Sequence, residues 1–296
     1  GSDFKPLPFL PRFQKGFGHN GPLLPDVWIQ LMEYLFYLAL GAVAGLISGL
    51  FGLGGGAIIV PLLIVAFGIQ GVSSEISTHL AIGTSLATIL ATSVTSIYTH
   101  HQKDGIRWDL VKRLTAGIVV GSALGGMLSV SLGGVFLQLL FGSFMILMGL
   151  QMLLYTATNF NKPPPPLALL MAGSAGIGAI SALVGIGGGS LMTPFLAHLG
   201  VKMRQAVGSA AACGFPIALT ATLVYGTSGP IAAELPEPSL GYIFLPAWIG
   251  IIITSTPCAR LGALLAHRVN ERLLKQAFGC FILLLGSRFI WINIPI

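Results

Sequence analysis

Long apolar runs separated by short polar loops dominate the chain after its first 27 residues. Most runs are about 20 residues long, which is the length an α-helix needs to cross the hydrocarbon core of a bilayer. Two runs, near residues 60 and 195, are clearly shorter. The pattern predicts ten helical segments, at 28–51, 57–69, 76–99, 112–132, 135–155, 167–185, 190–200, 205–227, 240–258 and 273–292.

The composition agrees with a membrane location. Only 8% of the 296 residues are charged and the mean hydropathy is +0.87, whereas a soluble domain carries roughly 25% charged residues. A surface with so few charges has to face lipid. A transmembrane barrel would show alternating segments of about ten residues, and these runs are longer. The predicted fold class is therefore an all-α polytopic membrane protein.

The segments of the second half repeat those of the first in number, length and order. GLISGLFGLGGGAIIVPLLI from Gly45 matches GAISALVGIGGGSLMTPFLA from Gly178, and AIGTSLA from Ala81 matches AVGSAAA from Ala206. Internal repeats of this kind are typical of transporters built from two related halves. The predicted organisation is an N-terminal arm (1–27), a first transmembrane repeat (28–155), a Pro-rich linker (156–166) and a second repeat (167–296).

Loop charges indicate that the two repeats have opposite orientations. The loop after the first short segment holds Glu75, whereas its counterpart holds Lys202 and Arg204. The same reversal relates the basic loop 100–113 to 228–239, and the neutral loop 129–137 to the basic loop 259–275. Because cytoplasmic loops are enriched in Lys and Arg, the halves are predicted to form inverted-topology repeats of five segments each.

This assignment places the loops 100–113, 156–166, 200–205 and 259–273 in the cytoplasm and both termini outside. The N-terminal arm fits poorly outside, because it carries Lys5, Arg12 and Lys15. If residues 28–36 formed a separate element, the N-terminus would lie inside instead.

Two G-x-G-G-G breaks interrupt apolar runs at matching positions of the two halves. Glycine lets the backbone turn sharply, and the helix that follows begins with free N–H groups at its positive end. Such helix ends bind anions, and paired breaks point to a transporter's binding site. The alternative is that these glycines only permit tight helix packing. The predicted backbone site comprises Gly54, Gly55, Gly56, Ala57, Gly187, Gly188, Gly189 and Ser190.

The segments after the breaks add hydroxyl groups that can donate hydrogen bonds to an oxyanion. Thr84, Ser85 and Thr88 lie in the first half, and Ser209 is the counterpart of Thr84 in the second. The predicted ligands among them are Thr84, Ser85 and Ser209. Alternatively, these side chains bond to the backbone of their own helix, as Ser and Thr often do in membranes.

Ionisable side chains are scarce within the apolar segments. Because such groups in a membrane are usually functional or interfacial, four are candidates for gating or for attracting anions. They are His79, His100, Arg204 and Arg260.

Other function classes find little support. No H-E-x-x-H motif, paired intramembrane aspartates or nucleophile elbow with a His partner occurs, so no enzyme, catalytic residue, metal or cofactor is predicted. The three cysteines have no C-x-x-C spacing. The 15 Lys and Arg against 9 Asp and Glu fit cytoplasmic loops better than nucleic-acid binding.

The set of motifs resembles the TauE/SafE family of sulfite exporters. The resemblance rests on both glycine breaks with their following prolines, on AIGTSLA and on the stretch from His100 to Asp109, and it extends from about Gly41 to Phe289. It implies a carrier for small sulfur-containing anions such as sulfite, sulfoacetate or a related organosulfonate. The second half departs from the G-T-S pattern, since it has Gly208, Ser209 and Ala210.

We therefore expect a multi-pass inner-membrane exporter that works by alternating access and whose partners are a small sulfur oxyanion and the lipid bilayer. An anion channel, an importer of the same substrates and a non-transporting membrane assembly protein stay open as alternatives. A homodimer stays open as well.

Overall fold

The computed structural model describes residues 24–51, 55–154, 166–229, 235–266 and 271–293. These ranges contain ten α-helices and one two-stranded hairpin. In chain order they are α1 (Leu24–Phe51), α2 (Gly56–Ile69), α3 (Ser74–Gln102), α4 (Trp108–Ser131), α5 (Gly134–Leu154), α6 (Leu167–Val184), α7 (Gly189–His198), α8 (Met203–Thr227), β1 (Ser239–Leu240), β2 (Ile243–Phe244), α9 (Leu245–Ala266) and α10 (Glu271–Asn293).

Each predicted segment corresponds to one of these helices, which confirms the all-α polytopic class. Seven of the described helices are long and apolar enough to cross a membrane. The helices α2 and α7 have only 14 and 10 residues, which corresponds to about 21 and 15 Å at a rise of about 1.5 Å per residue. Both are too short to span a hydrocarbon core of about 30 Å.

Several helix ends differ from the prediction. Helix α1 begins at Leu24, before the predicted limit at 28, and it runs without a break through residues 28–36, which are not a separate element. The rest of the predicted arm and nearly all of the linker (155–165) lie outside the described residues. A short hairpin, in which Ser239 pairs with Phe244, delays the start of α9 to Leu245.

The loops predicted to be cytoplasmic are shorter than their charge pattern suggested. Helix α9 continues to Ala266, so Arg260 is helical and does not lie in a loop. Similarly, α3 and α4 leave only residues 103–107 of the predicted loop 100–113 between them. An exposed charged side chain ends an apolar run in the sequence, but it does not break a helix, because its charge stays in a polar environment.

Helix packing relates the two halves reciprocally. Helix α1 packs on α9, and α6, the counterpart of α1 in the repeat, packs on α4, the counterpart of α9. The helices α3 and α8 pack on each other, and so do α5 and α10. Glycines allow the closest approaches, since a Cβ atom added to Gly41 would lie 2.7 Å from Ile251 Cα and one on Gly125 would lie 2.6 Å from Ala179 Cα.

Candidate functional site

Both glycine breaks serve as helix starts. Gly55 immediately precedes α2 and has φ +31°, and Gly188 immediately precedes α7 and has φ +66°. L-residues with a side chain rarely adopt positive φ, so glycine is required at these two positions. Gly54 lies outside the described residues. The sequence therefore correctly located two short helices whose N-termini lie inside the protein.

The two breaks meet at the contact between the halves. A Cβ atom on Gly56 would lie 2.6 Å from the carbonyl oxygen of Gly185, and one on Gly214 of α8 would lie 2.8 Å from that of Gly187. A side chain at Gly56 would push the halves apart, and one at Gly214 would push α8 away from the second break. Tight packing and a positive φ therefore account for several of these glycines, in agreement with the structural alternative.

A cavity of about 330 Å³ lies beside the breaks, between segments of both halves. Its walls come from α1, α2, α3, α7, α8 and α9. The lining includes Gly55, Gly187 and Gly189 from the breaks, together with polar side chains. These polar residues are Ser48, Thr88, Thr92, Ser93, Thr95, Ser96, Thr99, His100, Thr193, Ser255, Thr256 and Arg260.

The cavity opens towards the C-terminal end of α3. Along this helix Thr88 is fully buried, Thr92 and Ser96 are half-buried and Thr99 is exposed. His100 and the exposed Arg260 line the same end. Among the described lining residues there is no Asp or Glu, so the ionisable groups of the cavity are basic and its mouth attracts anions.

Some of the predicted backbone donors already have partners. The N–H of Gly55 donates to Ser48 Oγ at 2.8 Å, and those of Gly188 and Gly189 donate to the carbonyl oxygens of Ile186 and Gly187 at 2.7 Å. Gly56, Ala57, Gly188 and Ser190 are not among the described lining residues. The breaks therefore shape the wall of the cavity, and only part of the predicted backbone site faces it.

The predicted hydroxyl ligands lie elsewhere. Thr84 Oγ1 accepts a hydrogen bond from the N–H of Phe244 at 3.0 Å, and Ser209 Oγ accepts one from the N–H of Arg107 at 2.8 Å. Ser85 Oγ donates to the carbonyl oxygen of Gly185 at 2.9 Å. All three hydroxyls are fully buried and absent from the described lining. They hold loops to helices in this structure.

The four predicted gating residues divide into two groups. His100 and Arg260 line the cavity. Arg204 does not, and its Nη2 donates to the carbonyl oxygen of Lys103 at 2.7 Å. His79 lies 21 residues before His100 on α3, about 30 Å away along the helix.

His79 is buried and packed at the opposite end of the protein. Its Nδ1 lies 2.7 Å from the carbonyl oxygen of Glu75 and its Nε2 lies 3.1 Å from that of Ser129. The ring stacks on Tyr242 with centroids 4.9 Å apart. The hydroxyl of the fully buried Tyr225 donates to Ser129 Oγ. This end of the molecule is packed, whereas the end near His100 is open.

A row of hydroxyls on α3 lines the cavity, and only its first member, Thr88, was noted from the sequence. Thr88, Thr92, Thr95, Ser96 and Thr99 recur at spacings of three and four residues, so they share one face of the helix. A search for polar residues with helical periodicity would have found this row. Ser48 has no comparable signal, since it is the one Ser or Thr of its apolar segment, and Ser255 lies in a run of three hydroxyl residues, Thr254 to Thr256, that has no helical periodicity.

A second cavity, of about 290 Å³, lies near the start of α4. Arg107 and Asp109 line it and form an ion pair of 2.7 Å with each other. The hydrogen bond to Asp109 raises the pKa of Arg107 above its ordinary value. Arg113 also lines this cavity, but the rest of its described lining is apolar and it contains the carboxylate of Asp109. The cavity of about 330 Å³, whose described lining has hydroxyl groups and no carboxylate, is therefore the better anion site of the two.

Helices of membrane-spanning length around a cavity that opens at one end and carries hydroxyl and basic side chains are the features of a polytopic membrane transporter. The profile of the sulfite exporter TauE/SafE family matches residues 37–289. The chain belongs to this family.

Curated relatives agree with this assignment. A probable membrane transporter protein of Haemophilus influenzae is 34% identical over 254 residues, covering 85% of this chain and 96% of the relative. One from Xylella fastidiosa is 29% identical, covering 89% and 97%. The probable membrane transporter protein YunE of Bacillus subtilis is 25% identical, covering 88% and 98%. No solved structure matches the chain at a significant level.

Proposed function

We propose that this transporter is a carrier that exports small sulfur-containing anions, such as sulfite, sulfoacetate or a related organosulfonate, across the cell's inner membrane. The observation that carries the proposal is the cavity of about 330 Å³, with Arg260 and His100 at its mouth and no carboxylate in its described lining. The name of the family supports sulfite as the substrate class.

The size and polarity of the cavity suit a small anion. Sites for small molecules usually have volumes of about 300–1,000 Å³. This cavity lies at the lower end of that range, and hydroxyl groups supply much of its polar lining. Hydroxyls whose protons are not already donated to the backbone can solvate an oxyanion without introducing a fixed charge that would hold it too tightly for release.

Alternating access accounts for the difference between the two ends of the protein. The cavity is open near His100, whereas the residue at the corresponding position of α8, Tyr225, is fully buried. In our proposal the halves are inverted repeats, and the open end faces the cytoplasm. Rocking of one half against the other then exposes the same site to the opposite side.

The membrane potential is sufficient to drive export. A potential that is negative inside favours outward movement of an anion by about 2.3 kcal/mol per charge per 100 mV. The described lining offers no carboxylate for a coupling cation. Export of a sulfur oxyanion therefore needs no coupling ion in this proposal.

The test is counterflow in proteoliposomes that contain the purified protein. Internal sulfite, sulfoacetate or another organosulfonate should drive saturable uptake of the labelled anion. Flux that does not saturate would indicate a channel, and absence of saturable flux for every anion would overturn the substrate class. Direction is read separately, from flux under an imposed potential of either sign.

A matched pair of arginine variants tests whether the transported anion passes through the cavity. Arg260→Ala should raise the KM for the anion several-fold at low ionic strength, with a smaller effect at high salt, because a charge at the mouth attracts the substrate. Arg288→Ala is the control, because Arg288 is exposed on α10 and is not among the described lining residues. Equal effects of both variants would contradict the role of the cavity.

A further inference from the structure

Five of the ten hydroxyl side chains in the described lining of the cavity direct their single proton to the backbone and not to the cavity. The side chains of Thr88, Thr92 and Ser93 donate to carbonyl oxygens of their own helix at 2.8, 3.1 and 2.9 Å. Thr99 and Thr256 do the same at 2.9 and 3.3 Å. A hydroxyl that donates to the backbone offers only acceptor lone pairs to a ligand, and an anion requires donors.

Ser48 is different, because it accepts a hydrogen bond from the backbone. The N–H of Gly55, at the start of α2, donates to Ser48 Oγ at 2.8 Å. That N–H belongs to the positive end of the helix dipole, and such a bond polarises the hydroxyl that accepts it. The proton of Ser48 is left to donate to a ligand, and Ser48 lines the cavity.

Ser255 is the second candidate donor, and it is more deeply buried than Thr95, Ser96 and Thr193, the other lining residues without a described side-chain hydrogen bond. Its side chain is only 5% exposed, it lines the cavity, and its Oγ has no hydrogen-bond partner within the part of the chain that the structure describes. Buried hydroxyls normally have a partner, so the unpartnered hydroxyl of a residue that lines the cavity is available to a ligand.

The two serines lie close together on packed helices. Gly45 of α1 contacts the backbone of Ser255 on α9, so that a Cβ atom on Gly45 would lie 2.6 Å from Ser255 Cα. Ser48 follows Gly45 by three residues, about one helical turn. A small anion between the N-terminus of α2 and helix α9 can therefore reach both hydroxyls.

The repeat does not reproduce this pair in the second half. Gly178 corresponds to Gly45, and a Cβ atom on it would lie 2.7 Å from the carbonyl oxygen of Ile118, so Ile118 takes the place of Ser255. Ser181 corresponds to Ser48, but the N–H of Gly188 donates to Ile186 instead of Ser181. Ser181 and Ser122, whose Oγ would lie 2.9 Å from a Cβ atom on Gly178, are also buried without a described partner, but neither is among the described lining residues. In the described lining, the pair of donors is therefore present once.

We infer that Ser48 and Ser255 are the hydroxyl donors that bind the transported oxyanion, with Ser48 polarised by the N-terminus of α2. This inference rests on the proposed function as an anion carrier. It names the residues that hold the substrate and predicts selectivity for ligands with at least two acceptor oxygens.

The experiment compares Ser48→Ala, Ser255→Ala and Ser122→Ala in sulfite counterflow. Each of the first two should raise the KM about tenfold, the loss expected for one hydrogen bond to a charged group. Ser122→Ala should leave the KM unchanged, because Ser122 is also fully buried with a hydroxyl that lacks a described partner, but it lies outside the described lining. Ser255→Thr, which keeps a hydroxyl, should restore most of the affinity.

A binding measurement separates this inference from the proposed function. Sulfite should raise the Tm of the wild type and of Ser122→Ala, and it should raise the Tm of Ser255→Ala much less. Without sulfite, the Tm of Ser255→Ala should equal that of the wild type, since no described hydrogen bond is lost. If Ser48→Ala does not fold, the KM and the Tm shift of Ser255→Ala alone test the inference. Normal sulfite transport by the wild type together with an unchanged KM in Ser255→Ala overturns the inference. If the wild type transports no sulfur anion, the proposed function has failed.

Discussion

The hydroxyl oxygen of Ser209 accepts a hydrogen bond from the backbone N–H of Arg107 at 2.8 Å, across 102 positions of the sequence. Arg107 is the residue before α4, so the bond ties α8 to the start of that helix. The counterpart of Ser209 in the other half, Thr84, makes the corresponding bond at 3.0 Å to Phe244, the residue before α9. Two equivalent hydrogen bonds, one accepted by each half, therefore join the halves.

Removing either of these two hydrogen bonds should reduce the stability of the protein without changing its affinity for the substrate. Thr84→Val and Ser209→Ala each leave a buried backbone N–H without an acceptor, which costs about 1–3 kcal/mol. The Tm in detergent should fall, whereas the KM for sulfite should stay within about twofold of the wild type. Thr227→Val is the control, since its exposed hydroxyl bonds only to its own helix. A large change in KM at normal Tm would restore Thr84 and Ser209 as ligands.

The second glycine break should tolerate no side chain. Ala at Gly188 would have to keep φ near +66° and would meet Ile217, and Ala at Gly187 would place a Cβ atom 2.6 Å from Ile89 Cγ2. Strain and overpacking of this kind cost about 1–3 kcal/mol each. Thermal unfolding should show a lower Tm for both variants. Gly176→Ala in α6 should be neutral or stabilising, because nothing lies within 4 Å of its added Cβ atom.

Cysteine labelling can test whether the cavity opens at one end. In a variant without the native cysteines, Thr99→Cys should react quickly with a charged thiol reagent and Thr88→Cys slowly, because exposure decreases from Thr99 to Thr88. A reagent confined to one side of the membrane should reach both positions only from the side of Thr99. Equal rates from both sides would mean that the path is continuous, as in a channel.

The same background can test the inverted orientation of the halves. Ser73 and Lys202 immediately precede α3 and α8, and both are exposed. If the repeats are inverted, Ser73→Cys and Lys202→Cys should be labelled by an impermeant reagent from opposite sides of the membrane. Labelling of both from the same side would mean that the repeats are parallel.

The sequence alone determined the helices and the breaks. Apolar length located ten segments because the bilayer imposes a fixed span on each crossing helix. The glycine triplets located the starts of α2 and α7, since a positive φ such as that of Gly188 is a local property of the backbone. Charge was a weaker guide to helix ends, as Arg260 shows, because an exposed arginine is compatible with a continuing helix.

Only the tertiary structure decided which polar groups face the cavity. Helix α3 carries hydroxyls on several faces, and the sequence cannot tell that Thr84 and Ser85 bond to loops while Thr88 and Thr92 line the cavity. The direction of each hydroxyl proton likewise depends on whether its side chain bonds to its own helix, as Thr88 does, to a distant residue, as Ser85 does, or to no described partner, as for Ser255. The face that a helix turns inwards is set by its neighbours, so the donors of the site emerge only when α1, α2 and α9 come together.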